Sequence, residues 1–242
     1  MPTLQQLCAT FTSRLHYWVG QARHFHAQPD DRTWIEKLLV FYALEDCQEH
    51  FLQDAQGNAR KPKCRFAMGQ DTDETKAKLQ AFLKNKRADH LLTTFAKKAV
   101  RELHEFLLDF SLSGYSILEA IKSQPDETFA FLLIGESEMG SLSKVLEDFL
   151  KLTCIPCQFK VMVFKVRTRE DYKTALREGF ERVIHNARRA DDKAEWLFVG
   201  IPGYKQWIKK WDATETLPKC VYTLNAESKT LSETNDWWIW ET

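Results

Sequence analysis

The sequence predicts an α/β protein, in which a C-terminal mixed or mostly parallel sheet flanked by helices is joined to an all-helical N-terminal half. In the first half, apolar residues recur at three- and four-residue steps, as they do on one face of a helix. After Pro125, short apolar runs alternate with helical segments, which favours parallel strands joined by crossover helices. We therefore expect a helical region at 1–124 and an α/β domain at 125–242, or one domain that includes both.

The N-terminal half is expected to begin with two amphipathic helices. Apolar residues run at helical spacing from Leu4 to Val19 and again from Trp34 to Phe51. The expected elements that follow are a loop at 54–75 with a short strand at 63–68, a helix at 74–86, and a long helix from 89 through 110 that ends or kinks at 111–114 before a last helical piece to 122.

The C-terminal half is expected to alternate strands with helices. The predicted strands are 129–135, 159–166, 195–201, 219–224 and 237–241, and the predicted helices are 141–152, 170–188 and 204–211. A polar turn region is expected between the last two strands. Each of the inner strands is apolar on both faces, which is typical of a sheet covered by helices on both sides.

The charge composition excludes a strong overall electrostatic field. Lys+Arg and Asp+Glu both number 34, so any binding of nucleic acid must depend on a local basic surface. The candidate nucleic-acid-binding residues are Lys84, Lys86, Arg87, Lys97, Lys98 and Arg101. The alternative is that these side chains are the solvated faces of ordinary helices.

The cysteines and the apolar runs bear on the compartment. Six cysteines are scattered along the chain, and the N-terminus lacks a positive segment followed by an apolar run, so we expect a reduced, cytoplasmic protein. No apolar stretch approaches the roughly 20 residues that cross a bilayer, so no membrane association is expected. Cys154 and Cys157 have a spacing seen in zinc sites, and Cys47 with His50 could complete such a set. Because a second Cys-x-x-Cys pair is missing, we expect core or loop cysteines and no zinc.

Two carboxylates at the end of a predicted strand are the most informative feature. Glu136 and Glu138 are two residues apart, so they project from the same face if the strand extends that far. Like charges at this spacing repel one another, and a hard divalent cation such as Mg²⁺ relieves that repulsion with oxygen ligands. Asp148 and Lys151 share one face of the next helix and can point toward the same place. Ligand sites of open α/β sheets also gather at the carboxyl ends of strands.

Pro125-Asp126, then an apolar strand, then Glu136-Ser137-Glu138 resembles the PD-(D/E)xK nucleases. In that family the aspartate lies on a strand that pairs with the glutamate strand, and the two acids hold Mg²⁺. The resemblance implies hydrolysis of phosphodiester bonds by metal-held water. It implies Asp126 and Glu136 as metal ligands, with Glu138 at the position that is usually lysine. Together with the helix face that carries Asp148 and Lys151, the candidate metal ligands are Glu136 and Glu138 with Asp126 or Asp148 as an additional acid, and the candidate catalytic residues are Glu136, Glu138 and Lys151.

Two alternatives to a catalytic site remain open. Glu136 and Glu138 could lie in a solvated loop, where they would favour the positive end of the following helix. The chain could also be a non-catalytic interaction module that binds a protein partner through its helical half or through its C-terminal tryptophans. Because Trp237, Trp238 and Trp240 cannot all face one side of a strand, at least one is expected to meet another element, a second subunit of a homo-oligomer or a ligand.

Overall fold

The computed structural model describes residues 2–22, 32–53, 62–66, 108–113, 131–165, 177–186, 194–201, 220–225 and 230–233, together with residues 57, 59, 77 and 80. These residues form an α/β structure with a mixed seven-stranded sheet and helices on both of its faces. None of the described helices is long and apolar enough to span a membrane.

The helices and strands follow one another in a simple order. The helices are α1 (Leu4–Ala22), α2 (Arg32–Asp46), α3 (Leu142–Cys154) and α4 (Arg177–Asn186), and a 3₁₀ turn at Cys47–Phe51 continues α2. The strands are β1 (Lys63–Phe66), β2 (Phe110–Ser113), β3 (Phe131–Glu138), β4 (Cys157–Lys165), β5 (Glu195–Ile201), β6 (Cys220–Asn225) and β7 (Thr230–Glu233).

The seven strands lie side by side in chain order. β3, β4 and β5 are parallel to one another, and α3 makes the crossover from β3 to β4. The pairs β1–β2, β2–β3, β5–β6 and β6–β7 are antiparallel. The sheet is therefore parallel at its centre and antiparallel toward both edges.

The central strands are buried on both faces because helices cover each side. Alternate residues of β3 and β4, such as Leu133 and Val161, pack with α1 and α2. The intervening residues, such as Ile134 and Met162, pack with α3 and α4. Phe149 of α3 is at the centre of this second core, where its ring contacts three other aromatic rings. Because successive residues of a strand point to opposite faces of the sheet, each central strand contributes side chains to two separate cores.

Several predictions about these elements are confirmed. The first two helices, α3, and the strands β3, β4, β5 and β6 lie where the apolar pattern predicts them, and β1 occupies most of the predicted short strand. α4 covers the second part of the helix predicted at 170–188. The predicted helix at 204–211 and the predicted strand at 237–241 lie outside the described residues.

Two predictions are wrong. Residues 110–113 form β2 rather than the end of a helix, so the N-terminal half is not all helical. Phe110 and Leu112 alternate with serines, and both apolar side chains are buried in the core that contains α2. A strand places such alternate residues on one face, so it buries them as well as a helix would. The polar region after β6 also contains a strand, β7, which pairs with β6. The boundary predicted near residue 124 falls between β2 and β3, which are adjacent in the sheet.

Candidate active site

The candidate site lies at the carboxyl end of β3. The strand continues through Glu138, so Glu136 lies on the same side as Ile134, which faces α3 and α4. Glu138 accepts a hydrogen bond on Oε1 from the backbone N–H of Gly140. A Cβ atom at position 140 would lie 2.6 Å from that oxygen, so a side chain there would force the Glu138 carboxylate to shift. β3 therefore delivers one inward acid and one acid that closes the turn.

The neighbouring strand brings a second acid to the same place. Phe110 of β2 pairs with Gly135 of β3, and extending this antiparallel register by one residue sets Asp109 opposite Glu136. Asp109 is buried, and its Oδ2 accepts a hydrogen bond of 3.0 Å from the backbone N–H of Ser137. The Asp109 carboxylate is therefore fixed against the end of β3.

Two lysines approach this pair of acids from opposite sides of the sheet. Lys37 of α2 donates to both carboxylate oxygens of Asp109, with Nζ–O distances of 3.0 and 3.1 Å. Lys151 of α3 forms an ion pair with Asp148, three residues earlier on the same helix. Asp148 is buried, as expected for a residue on the side of α3 that faces the sheet. The cluster thus contains three acids and two lysines.

Glu136 is the acid that neither lysine pairs with directly. Its residue exposure is only 2%, and its Oε1 atom has no hydrogen-bond partner among the described residues. Burial, followed by the nearby carboxylates of Asp109 and Asp148, raises the pKa of Glu136 from 4.5 to about 10, although Lys151 and Lys37 act in the opposite direction. Glu136 therefore keeps its proton at neutral pH when no cation is bound.

The donor set suits a hard divalent cation. The unpartnered Oε1 of Glu136 is costly to bury, and it would gain a partner if a cation replaced the proton of this acid. Carboxylate oxygens are the ligands that Mg²⁺ prefers, usually together with water. Among the residues that the structure describes, no three His, Cys, Asp or Glu side chains are already gathered closely enough to hold a metal ion. Metal binding at this site thus requires the carboxylates to converge further.

The structure brings together some of the residues that the sequence singled out. Glu136, Asp148 and Lys151 belong to one electrostatic cluster, because Asp148 and Lys151 both act on the pKa of Glu136. Glu138 is on the same strand but is engaged by the turn to α3. Asp126 and the six basic residues proposed to bind nucleic acid lie outside the described part of the chain.

Asp109 and Lys37 belong to the cluster but were missed by sequence reasoning. A helical stripe through residue 110 accounted for the apolar residues around Asp109, so this acid attracted no attention. The signal that could have identified it is the alternation Phe110-Ser111-Leu112-Ser113, which also fits a strand led by an acid. Lys37 carries no comparable signal, since a lysine on an amphipathic helix is ordinarily solvated.

The described cysteines and Trp196 of β5 do not belong to the cluster of acids and lysines. The five cysteines with described side chains form no disulfide with one another, and Cys157 Sγ lies 3.1 Å from the carbonyl oxygens of Phe131 and Phe159. Burial raises the pKa of Cys157 to about 12, so it is not a thiolate at neutral pH. Trp196 is buried, and the Lys160 ammonium lies 4.7 Å from the centre of its ring.

Comparison of the chain with protein families, with curated proteins and with solved structures finds no match in any of the three. The site geometry and the resemblance of the sequence motif are therefore the observations from which a function can be argued.

Proposed function

We propose that this protein is a divalent-metal-dependent nuclease that hydrolyses phosphodiester bonds, with its site at the carboxyl end of β3. One observation carries the proposal. Glu136 is a buried acid that keeps its proton at neutral pH and has an unpartnered oxygen, and two further buried acids, Asp109 and Asp148, act on it electrostatically. An arrangement that costs stability in the metal-free protein is typical of functional sites.

The strand pairing supports the same proposal. In the PD-(D/E)xK nucleases, the aspartate lies on a strand that pairs with the glutamate strand. Asp109 directly precedes β2, and β2 pairs antiparallel with β3, which carries Glu136. We therefore assign to Asp109 the ligand role that the sequence motif suggested for Asp126. The helix that follows, α3, leads into β4, which is parallel to β3.

The roles of the side chains follow from their charge and position. Bound Mg²⁺ would supply an activated water molecule and would neutralise charge on the phosphate. Glu136 and Asp109 would hold the cation, and Asp148 would provide a third carboxylate on the α3 side. Lys151, which is about one-third exposed, can turn from Asp148 to a phosphate oxygen at the surface of the site. The basic residues at 84–101 stay candidates for contacts to the nucleic-acid backbone.

The first experiment measures binding of Mn²⁺ by calorimetry, before any substrate has to be chosen. Wild-type protein is compared with Glu136→Gln, which keeps the shape of the side chain but cannot lose a proton to become a charged metal ligand. The matched control is Glu147→Gln, because Glu147 is an exposed acid on α3. We expect Glu147→Gln to bind Mn²⁺ as wild type does and Glu136→Gln to lose binding.

The second experiment measures cleavage of plasmid DNA and single-stranded DNA in the presence of Mg²⁺ or Mn²⁺. We expect cleavage by wild type and by Glu147→Gln, and a loss of at least about a hundredfold in Glu136→Gln, since metal-bound water is the nucleophile. Cleavage that persists unchanged in Glu136→Gln would contradict the proposed site. If neither metal binding nor cleavage is seen, the proposed function is wrong, and the alternative of a non-catalytic interaction module gains support.

A further inference from the structure

Lys37 of α2 forms a shielded ion pair with Asp109, one of the acids of the candidate site. Its ammonium group contacts both oxygens of Asp109, as a cation bound in a bidentate manner does. The pair is shielded from solvent, with side-chain exposures of 17% for Lys37 and 11% for Asp109. Lys37 comes from α2, whereas the acids come from the end of the sheet and from α3. The positive charge is thus supplied to the acids by a separate element.

More than one acid acts on this ammonium group. Asp109 contacts it directly through both carboxylate oxygens, and Glu138 of β3 attracts it from farther away. The Lys37 ammonium is therefore paired with the Asp109 carboxylate in the metal-free protein.

We propose that Lys37 is a resident counter-ion that occupies Asp109 in the metal-free protein and is displaced when a divalent cation binds. This inference rests on the function proposed above. Both oxygens of Asp109 are engaged by Lys37, so in the metal-free protein this carboxylate is already paired with a cation. A divalent cation that binds Asp109 and Glu136 together must break the ion pair between Asp109 and Lys37, since two cations on the same carboxylate repel each other.

Displacement also gives the lysine a second role. An ammonium released from Asp109 remains on α2 beside the site, where a bound phosphate group would replace the carboxylate as its partner. Lys37 would then help to bind the substrate only after the cation is in place. Binding of metal and binding of an anionic ligand would therefore be coupled, each favouring the other.

The test is Mn²⁺ calorimetry on Lys37→Gln, which removes the charge but keeps a polar side chain of similar length. Lys144→Gln is the matched control, since Lys144 is an exposed lysine on α3. We expect Lys37→Gln to bind Mn²⁺ about tenfold tighter than wild type or more, because the metal no longer competes with a resident cation. Lys144→Gln should bind as wild type does. Equal or weaker binding by Lys37→Gln, with wild-type binding intact, would overturn the counter-ion role and leave the proposed nuclease function standing.

Thermal unfolding gives an independent readout. In EDTA, Lys37→Gln should have a lower Tm than wild type, because Asp109 loses its partner in a shielded place. Saturating Mn²⁺ should raise the Tm of Lys37→Gln by more than it raises that of wild type. If Lys37→Gln does not fold in EDTA, Lys37→Arg replaces it, and its Mn²⁺ affinity should be no higher than that of wild type. Failure of wild type and of Lys37→Gln alike to bind Mn²⁺ would refute both the inference and the proposed function.

Discussion

Glu136→Gln should stabilise the metal-free protein at neutral pH while it abolishes metal binding. Glu136 has a pKa of about 10 in the folded protein, because it is buried and lies near Asp109 and Asp148, against an ordinary value of 4.5. Between these two values the unfolded chain releases the proton and the folded protein keeps it. The free energy of unfolding therefore falls as the pH rises through this window, by about 1.36 kcal/mol for each pH unit.

The size of the effect follows from this slope. From pH 4.5 to pH 7 the loss of stability due to Glu136 amounts to about 3 kcal/mol. Glutamine has the same shape and does not ionise, so the variant lacks this pH dependence. We expect Glu136→Gln to exceed wild type by about 3 kcal/mol in free energy of unfolding at pH 7, and by less than about 1 kcal/mol at pH 5.

The assay is urea unfolding in EDTA at pH 5, 6 and 7, followed by tryptophan fluorescence. Glu147→Gln serves as the control, and an exposed glutamate of this kind should change stability by less than about 0.5 kcal/mol at every pH. The reasoning is refuted if Glu136→Gln is no more stable than wild type at pH 7. That result would mean that Glu136 is ionised in the folded protein and has a partner for its charge.

The remaining predictions concern the packing of Phe149, the protonation of His16 and the reactivity of the thiols. Phe149→Ala should lower the free energy of unfolding by about 3–5 kcal/mol in urea titrations, because the ring is fully buried among three others, whereas Leu150→Ala, on the exposed side of α3, should change it by less than about 1 kcal/mol. Burial lowers the pKa of His16 below 6.5, so the unfolded chain binds a proton more readily than the folded protein does. The free energy of unfolding therefore falls as the pH drops below 6.5. We expect His16→Gln to show a smaller fall in melting temperature than wild type between pH 7 and pH 5. Burial raises the pKa of Cys8 to about 12, so mass spectrometry after iodoacetamide treatment at pH 8 should find Cys154, which is exposed, alkylated and Cys8 unmodified until urea is added.

Local periodicity was sufficient to predict the helices and strands in which apolar residues recur at one constant spacing. α1 and α3 show apolar residues at helical spacing, and β3, β4 and β5 are apolar runs of strand length between helices. Such runs predict a sheet covered on both faces, which the two cores confirm. The sequence also identified Glu136, because an acid that follows an unbroken apolar strand is noticeable without any knowledge of its neighbours.

Only the tertiary structure decided which partners Glu136 has. The local pattern of β2 fits part of a helix, and its pairing with β3 joins residues 18 to 25 positions apart, which no local pattern encodes. That pairing brings Asp109 to Glu136, and the packing of α2 adds Lys37, 72 positions before Asp109. The burial of a side chain and the charges around it depend on such distant contacts. The sequence by itself therefore determined that a buried strand leads into Glu136, while the fold determined that the strand continues through Glu138 and that Glu136 is buried beside two other acids and two lysines.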